Sequence, residues 1–173
     1  SQRDQLQLQL AQVNYGYVDM TKSGSLGAQS GACNINVACA QGNAWRTENR
    51  SVGLLQFPGI NDFGQRVTVL CSGQLVNDVA QDAVPFLLTA NHCGISSNGS
   101  SPASAVTVYW LDQSSSCGGN SGDLSKFTPG TTFLAADNSS DFALLRLTQL
   151  PDRPEEHTSE PPSTRYLACR LLL

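Results

Sequence analysis

The sequence has little charge, no long apolar run, no paired cysteine motif and no regular helical pattern, and each shortage narrows what the chain can be. Only 14% of its 173 residues are Asp, Glu, Lys or Arg, and the net charge is −4. A surface this poor in cations argues against a nucleic-acid partner, whose phosphates would need them. No stretch approaches the roughly 20 apolar residues that cross a bilayer, so no membrane partner is expected. No charged segment followed by an apolar one marks a secretion leader. The six cysteines include no Cys-x-x-Cys pair. Cys33 and Cys39 are too far apart for a zinc knuckle, and the adjacent His92 and Cys93 suit few metal sites. The cysteines therefore read as disulfides made in an oxidising compartment, with no metal and no cofactor expected. No segment sustains a helical period with caps at its ends.

What the chain does have is 40% hydrophobic residues, enough for a core, in short runs punctuated by Gly, Asn, Asp and Ser. Residues 52–57, 66–71, 74–76, 84–89, 105–110 and 141–147 are strand-length and rich in β-branched or aromatic side chains. Short strands at fairly regular spacing, with turn signals between them, predict an all-β antiparallel barrel or sandwich. The polar segment 114–132 reads as a long loop with Cys117 as one end of a staple. Near the N-terminus Leu6, Leu8, Leu10 and Val13 favour a short strand, and the Ser/Gly-rich residues 22–31 read as a linker. After Pro151 the texture changes again, and charge rises. Residues 152–173 are similar to the translation of a common DNA sequencing adapter, so the natural protein is expected to stop being recorded near Pro151. On that reading His157 and Cys169 carry no function. The expected organisation is a leading segment 1–30, a folded unit 31–151 and a non-native tail 152–173.

One stretch stands out for chemistry. Leu87-Leu88-Thr89-Ala90-Asn91-His92-Cys93-Gly94 is an apolar strand that ends in a small-residue corner, delivers a histidine and is pinned by the next cysteine. A serine nucleophile attacks poorly near its free pKa. Acyl transfer needs an imidazole to take its proton and a carboxylate to hold that imidazole in one tautomer. His92 and Asp141 fit those two roles. Asp141 opens a run in which Phe142, Leu144 and Leu145 are apolar enough to bury the strand and shield the carboxylate, and a buried Asp needs a partner such as an imidazole N–H.

These residues resemble the chymotrypsin-fold serine proteases. Thr89-Ala90-Asn91-His92-Cys93 is similar to the segment around their catalytic histidine, and 140–147 is similar to the strand carrying their catalytic aspartate. The likeness is strongest to the bacterial secreted branch typified by lysyl endopeptidase. Residues 30–39 look like that branch's mature N-terminal segment, Cys71-Ser72-Gly73-Gln74-Leu75-Val76-Asn77 like its Cys-x-Gly-x-Leu-Val-Asn strand, and 106–110 with Cys117 like its Val-Tyr-Trp strand and trailing cysteine. The resemblance covers roughly 30–150. It implies the first β-barrel of a double barrel, with the second barrel missing from this chain, and the disulfides Cys71 to Cys93 and Cys39 to Cys117. It leaves Cys33 without its natural mate. Residues 12–17 resemble the end of a propeptide, which implies a zymogen.

Gly119-Asn120-Ser121-Gly122-Asp123 has the look of a nucleophile signature. It is rejected because chain order in this fold runs His, Asp, Ser, and Ser121 precedes Asp141. Asp112, Asp123 and Asp137 fall in polar segments and read as solvated turn residues rather than a cation site. Trp110 reads as core, and Trp45 as a residue near a cleft. The resulting expectation is a secreted, monomeric, trypsin-like serine endopeptidase acting on protein or peptide substrates. In it His92 is the general base and Asp141 its orienting group, while the serine lies beyond the chain. The alternative is a catalytically dead homologue that serves as a binding or adhesion module. An unrelated β-sandwich would instead leave His92 and Asp141 far apart.

Overall fold

The computed structural model describes residues 35–80, 82–119 and 122–151. The N-terminal strand and linker, the propeptide-like residues 12–17, Cys33, Ser121 and the tail with His157 and Cys169 lie outside them.

Seven strands follow one another: β1 (Val52–Ile60), β2 (Arg66–Val76), β3 (Phe86–Thr89), β4 (Thr107–Trp110), β5 (Phe127–Pro129), β6 (Thr131–Asp137) and β7 (Phe142–Leu147). The single α-helical turn among the described residues, α1 (Arg46–Asn49), follows a 3₁₀ segment at Ala40–Trp45. Every strand pairing is antiparallel, and the order across the sheet is β5-β4-β1-β2-β3-β7-β6.

That order dictates the shape. The outermost strands, β5 and β6, are joined in the chain by Gly130 alone. One residue advances about 3.4 Å, whereas each strand of a sheet adds about 4.8 Å of width. The sheet must therefore curl until its margins meet, and β5 and β6 are two halves of one bent strand that closes a barrel. Gly130 makes the bend with a φ of 76°, a conformation that favours glycine. Its N–H donates to the Val106 carbonyl (2.7 Å) on the β4 side, and its carbonyl accepts from the Thr148 N–H (3.3 Å) on the β7 side.

Alternation decides what fills the barrel. Leu55 and Phe57 from β1, Leu87 from β3, Val108 and Trp110 from β4, and Leu145 and Leu147 from β7 are buried in one cluster with Val106, Ile95 and Ala103. The buried Trp110 indole N–H donates to Thr128 Oγ1 (2.9 Å), and Thr131 Oγ1 donates to the Ala103 carbonyl (2.7 Å). Buried polar groups of this kind are costly only when unpaired. Gly53 also faces inward. A Cβ there would collide with Val108 Cγ1 and lie 3.1 Å from the Trp110 ring. Gly53→Val is expected to lower stability by about 1–3 kcal/mol through overpacking. It would be read as an earlier urea midpoint at unchanged slope, and an unmoved midpoint would show that the interior is looser than this.

Several boundaries depart from the sequence reading. β1 runs on through Pro58 to Ile60, because beyond Gln56 the strand pairs only with β2 and a missing N–H is tolerated there. The runs at 66–71 and 74–76 are one strand, β2. The C-terminal end of the supposed loop 114–132 is strand, since it contains β5 and the start of β6. The core face of β7 is Ala143, Leu145 and Leu147, while Phe142 and Leu144 are only half-buried on the outer side. Trp110 is buried, and Trp45 is exposed.

Candidate active site

β3 pairs antiparallel with β7 in the register Leu88 with Leu144 and Thr89 with Ala143. The chain leaving β3 therefore emerges where the chain entering β7 arrives. His92 lies three residues past the end of β3, in the 3₁₀ turn Asn91–Cys93, and Asp141 is the residue before β7. Strand register alone thus places them side by side at one end of the barrel.

The contact is twofold. The His92 backbone N–H donates to Asp141 Oδ1 at 2.8 Å, and His92 Nδ1 lies 2.7 Å from Asp141 Oδ2. A carboxylate only accepts, so Nδ1 carries the proton and donates it. In the neutral ring this leaves Nε2 as the basic atom. The Asp141 carbonyl in turn accepts from the Asn91 N–H (3.2 Å), and Asn91 Nδ2 donates to Asn138 Oδ1 across the two loops (3.2 Å).

The corner that carries His92 is tied down from below. A disulfide joins Cys93 to Cys71 on β2. Thr89 Oγ1 donates to the Ser72 carbonyl (2.8 Å). Gly94, at φ 77°, turns the chain away with its N–H on the Asn91 carbonyl. A second disulfide, Cys39 to Cys117, fastens the segment ahead of α1 to the loop after β4.

Asp141 is not shielded in the way its apolar neighbours led the sequence reading to expect. Its side chain is 49% exposed, and that of His92 74%. The reason is that burial begins two residues later, at Ala143, while Asp141 sits off the strand in the left-handed region at φ 50°. Its charge is held by hydrogen bonds rather than by desolvation. The His92 ring N–H first, then the His92 backbone N–H, keep the Asp141 carboxyl below the ordinary carboxylate range. A depressed carboxyl contributes stability above its unfolded pKa and loses it as pH falls through the folded value, so this contact is complete at neutral pH and opens in acid.

The other acidic candidates behave differently from one another. Asp123 is exposed and held low by the Ser125 hydroxyl and N–H. Asp112 is pushed up, by burial first and then by Asp123. Asp137 is held at about 2 by Ser139 and Ser140. Among the described residues, no three His, Cys, Asp or Glu side chains group as metal ligands would. Sequence reasoning gave Asn91 no role of its own, noted Asn138 only as a chance match to a glycosylation acceptor pattern, and took Asp137 for a plain turn residue. The pattern that marks Asp137 is an Asp followed at two and three residues by Ser, the signal of a turn whose side chains bind their own backbone.

Residues 27–159 match the family model described as "Lysyl endopeptidase, C-terminal domain".

Proposed function

This chain belongs to the lysyl endopeptidase family, and from that premise we propose that it carries the general-base half of a serine endopeptidase site. In this reading His92 Nε2 takes the proton of an attacking serine and later returns it to the leaving amine, while Asp141 holds the ring in the tautomer that leaves Nε2 free. The observation that supports it is the double contact of one carboxylate with the ring and the backbone N–H of the same histidine. Such a clasp fixes both the position and the tautomer of the base. Two disulfides fit a chain made for an oxidising, extracytoplasmic setting, and the substrates are protein or peptide chains. An unrelated sandwich gives no reason for this juxtaposition.

The serine is assigned to a segment after Asp141 in the natural protein, on a second barrel facing the exposed edge of His92. No glycine follows Asp141 among the 173 residues, so they contain no Gly-x-Ser-Gly turn in the required order. A base without a nucleophile or oxyanion donors has nothing to activate. The 173-residue polypeptide is accordingly expected to hydrolyse no peptide ester. Turnover that disappears on His92→Ala would refute this assignment. The constructive test is to read the source gene past residue 151 and assay the longer product on lysyl, arginyl and neutral esters, with His92→Ala alongside. Hydrolysis abolished by that substitution supports the peptidase. A longer product that lacks a downstream serine turn and hydrolyses none of the esters supports the inactive binding module instead.

A further inference from the structure

The hairpin between β6 and β7 has a four-residue tip, Asn138 to Asp141, because Asp137 pairs with Phe142. Asp141 therefore has to present its carboxylate sideways, toward a different loop, from the last position of a tight turn. It does so in the left-handed region at φ 50°, where a residue other than glycine is held only if its surroundings insist on it. Those surroundings are specific. Asp137 Oδ1 accepts from Ser139 Oγ (2.5 Å), from the Ser140 N–H (2.8 Å) and from Ser140 Oγ (2.7 Å). One carboxylate oxygen thus gathers three donors from the two residues immediately ahead of Asp141. From the opposite side, Asn138 Oδ1 accepts the Asn91 amide, which is next to His92.

We propose that Asp137 is a positioning residue: by folding the Ser139-Ser140 turn onto its own carboxylate it sets the backbone of Asp141 so that both carboxylate oxygens reach His92. The role rests on the reading of His92 and Asp141 given above. Asp137 itself has no bond to His92 and acts only through the turn. Without it, Ser139 and Ser140 lose their common acceptor, the tip relaxes toward ordinary turn conformations, and Asp141 keeps at most one of its two bonds. The same logic makes the Asn91 to Asn138 bond a brace that keeps the two loops from sliding past each other.

The test uses the 173-residue chain and nuclear magnetic resonance, with the hydrogen-bonded His92 Nδ1–H proton signal and the carboxyl titration of Asp141 as readouts. In Asp137→Ala the Nδ1–H signal is expected to be lost to solvent exchange, and the Asp141 midpoint to rise toward the ordinary carboxylate range, while the amide signals of β1 to β4 stay in place. Asp137→Asn keeps an acceptor oxygen and is expected to retain both signatures. Asp137→Ala with both signatures unchanged overturns the proposal. If that variant does not fold, the double variant Ser139→Ala/Ser140→Ala removes two of the three donors. A signal and midpoint identical to the parent's in that variant overturn the proposal equally. A parent chain that shows no Nδ1–H signal and an ordinary Asp141 midpoint sinks the His92 and Asp141 reading itself, and this inference with it. That outcome is separate from a parent that shows both and a variant that does not care.

Discussion

On the proposed function, Asp141→Asn is expected to lower kcat about 10⁴-fold in a longer product that hydrolyses esters, with KM changed little. The size of the effect follows from which oxygen does what. Asp141 Oδ1 is committed to the His92 backbone N–H, and that donor cannot change its character. An asparagine at this position must keep its carbonyl oxygen there, which turns its NH₂ group toward Nδ1. Two donors cannot face each other, so the ring gives up its Nδ1 proton and carries it on Nε2. The base then offers a proton where it should accept one. Geometry is kept and chemistry is lost, so kcat and kcat/KM are expected to fall together. Burst titration of the acylated fraction, alongside steady-state rates, separates this from unfolding. A loss smaller than about tenfold would mean that the tautomer is set by something other than Asp141.

The second large effect separates the two disulfides by what each one holds. Removing Cys39 and Cys117 together opens a loop with a sequence separation of 78, and removing Cys71 and Cys93 one of 22. Loop-closure entropy assigns about 4 kcal/mol to the first and about 3 kcal/mol to the second. For a domain of this size, each loss lowers the melting temperature by roughly 10–20 °C. Stability alone would rank the longer loop first. The site should rank them the other way. Cys93 follows His92 in the same 3₁₀ turn, so Cys71→Ala/Cys93→Ala is expected to loosen the His92 corner and let the Asp141 carboxyl titrate closer to its ordinary range. Cys39→Ala/Cys117→Ala, the costlier change, should leave that titration alone because neither residue touches the corner. Equal titration in both double variants would show that the strands alone position His92.

Much of this architecture is legible before any coordinates, for a physical reason. β1, β3, β4 and β7 bury every second side chain, so their apolar periodicity is written in the sequence. β2 reads as two pieces because Ser72 and Gly73 interrupt its run, yet the alternation continues through them. Gly73 is buried, and the space its missing side chain leaves is taken by Leu55 and Leu87. β5 and β6 are illegible for the opposite reason. Beyond Thr128 and Thr131 they bury no complete side chain, and polar residues, alanines and the Pro129-Gly130 pair give them the look of a loop. At the site, the histidine is readable from its place at the end of an apolar strand, and its aspartate from the run that follows it. The pairing of the cysteines came from family resemblance, since spacing leaves it open. The exposure of Asp141, and the turn chemistry of Asp137 that presents it, depend on backbone angles at a hairpin tip. Those angles leave no mark on hydrophobic periodicity.

The bent strand at Gly130 also sets a schedule for synthesis. The barrel cannot seal until β6 has turned back along β7 and β7 has found β3, whose partner residues Leu88 and Leu144 lie far apart in the chain. Long-range pairings of this kind are slow to form, because the loop between them must be closed before any contact rewards it. A nascent chain released from the ribosome only as far as β4 holds His92 on an unsealed sheet. Sealing brings β7 into place, and Asp141 with it, so the contact between His92 and Asp141 is made in the same step that finishes the fold.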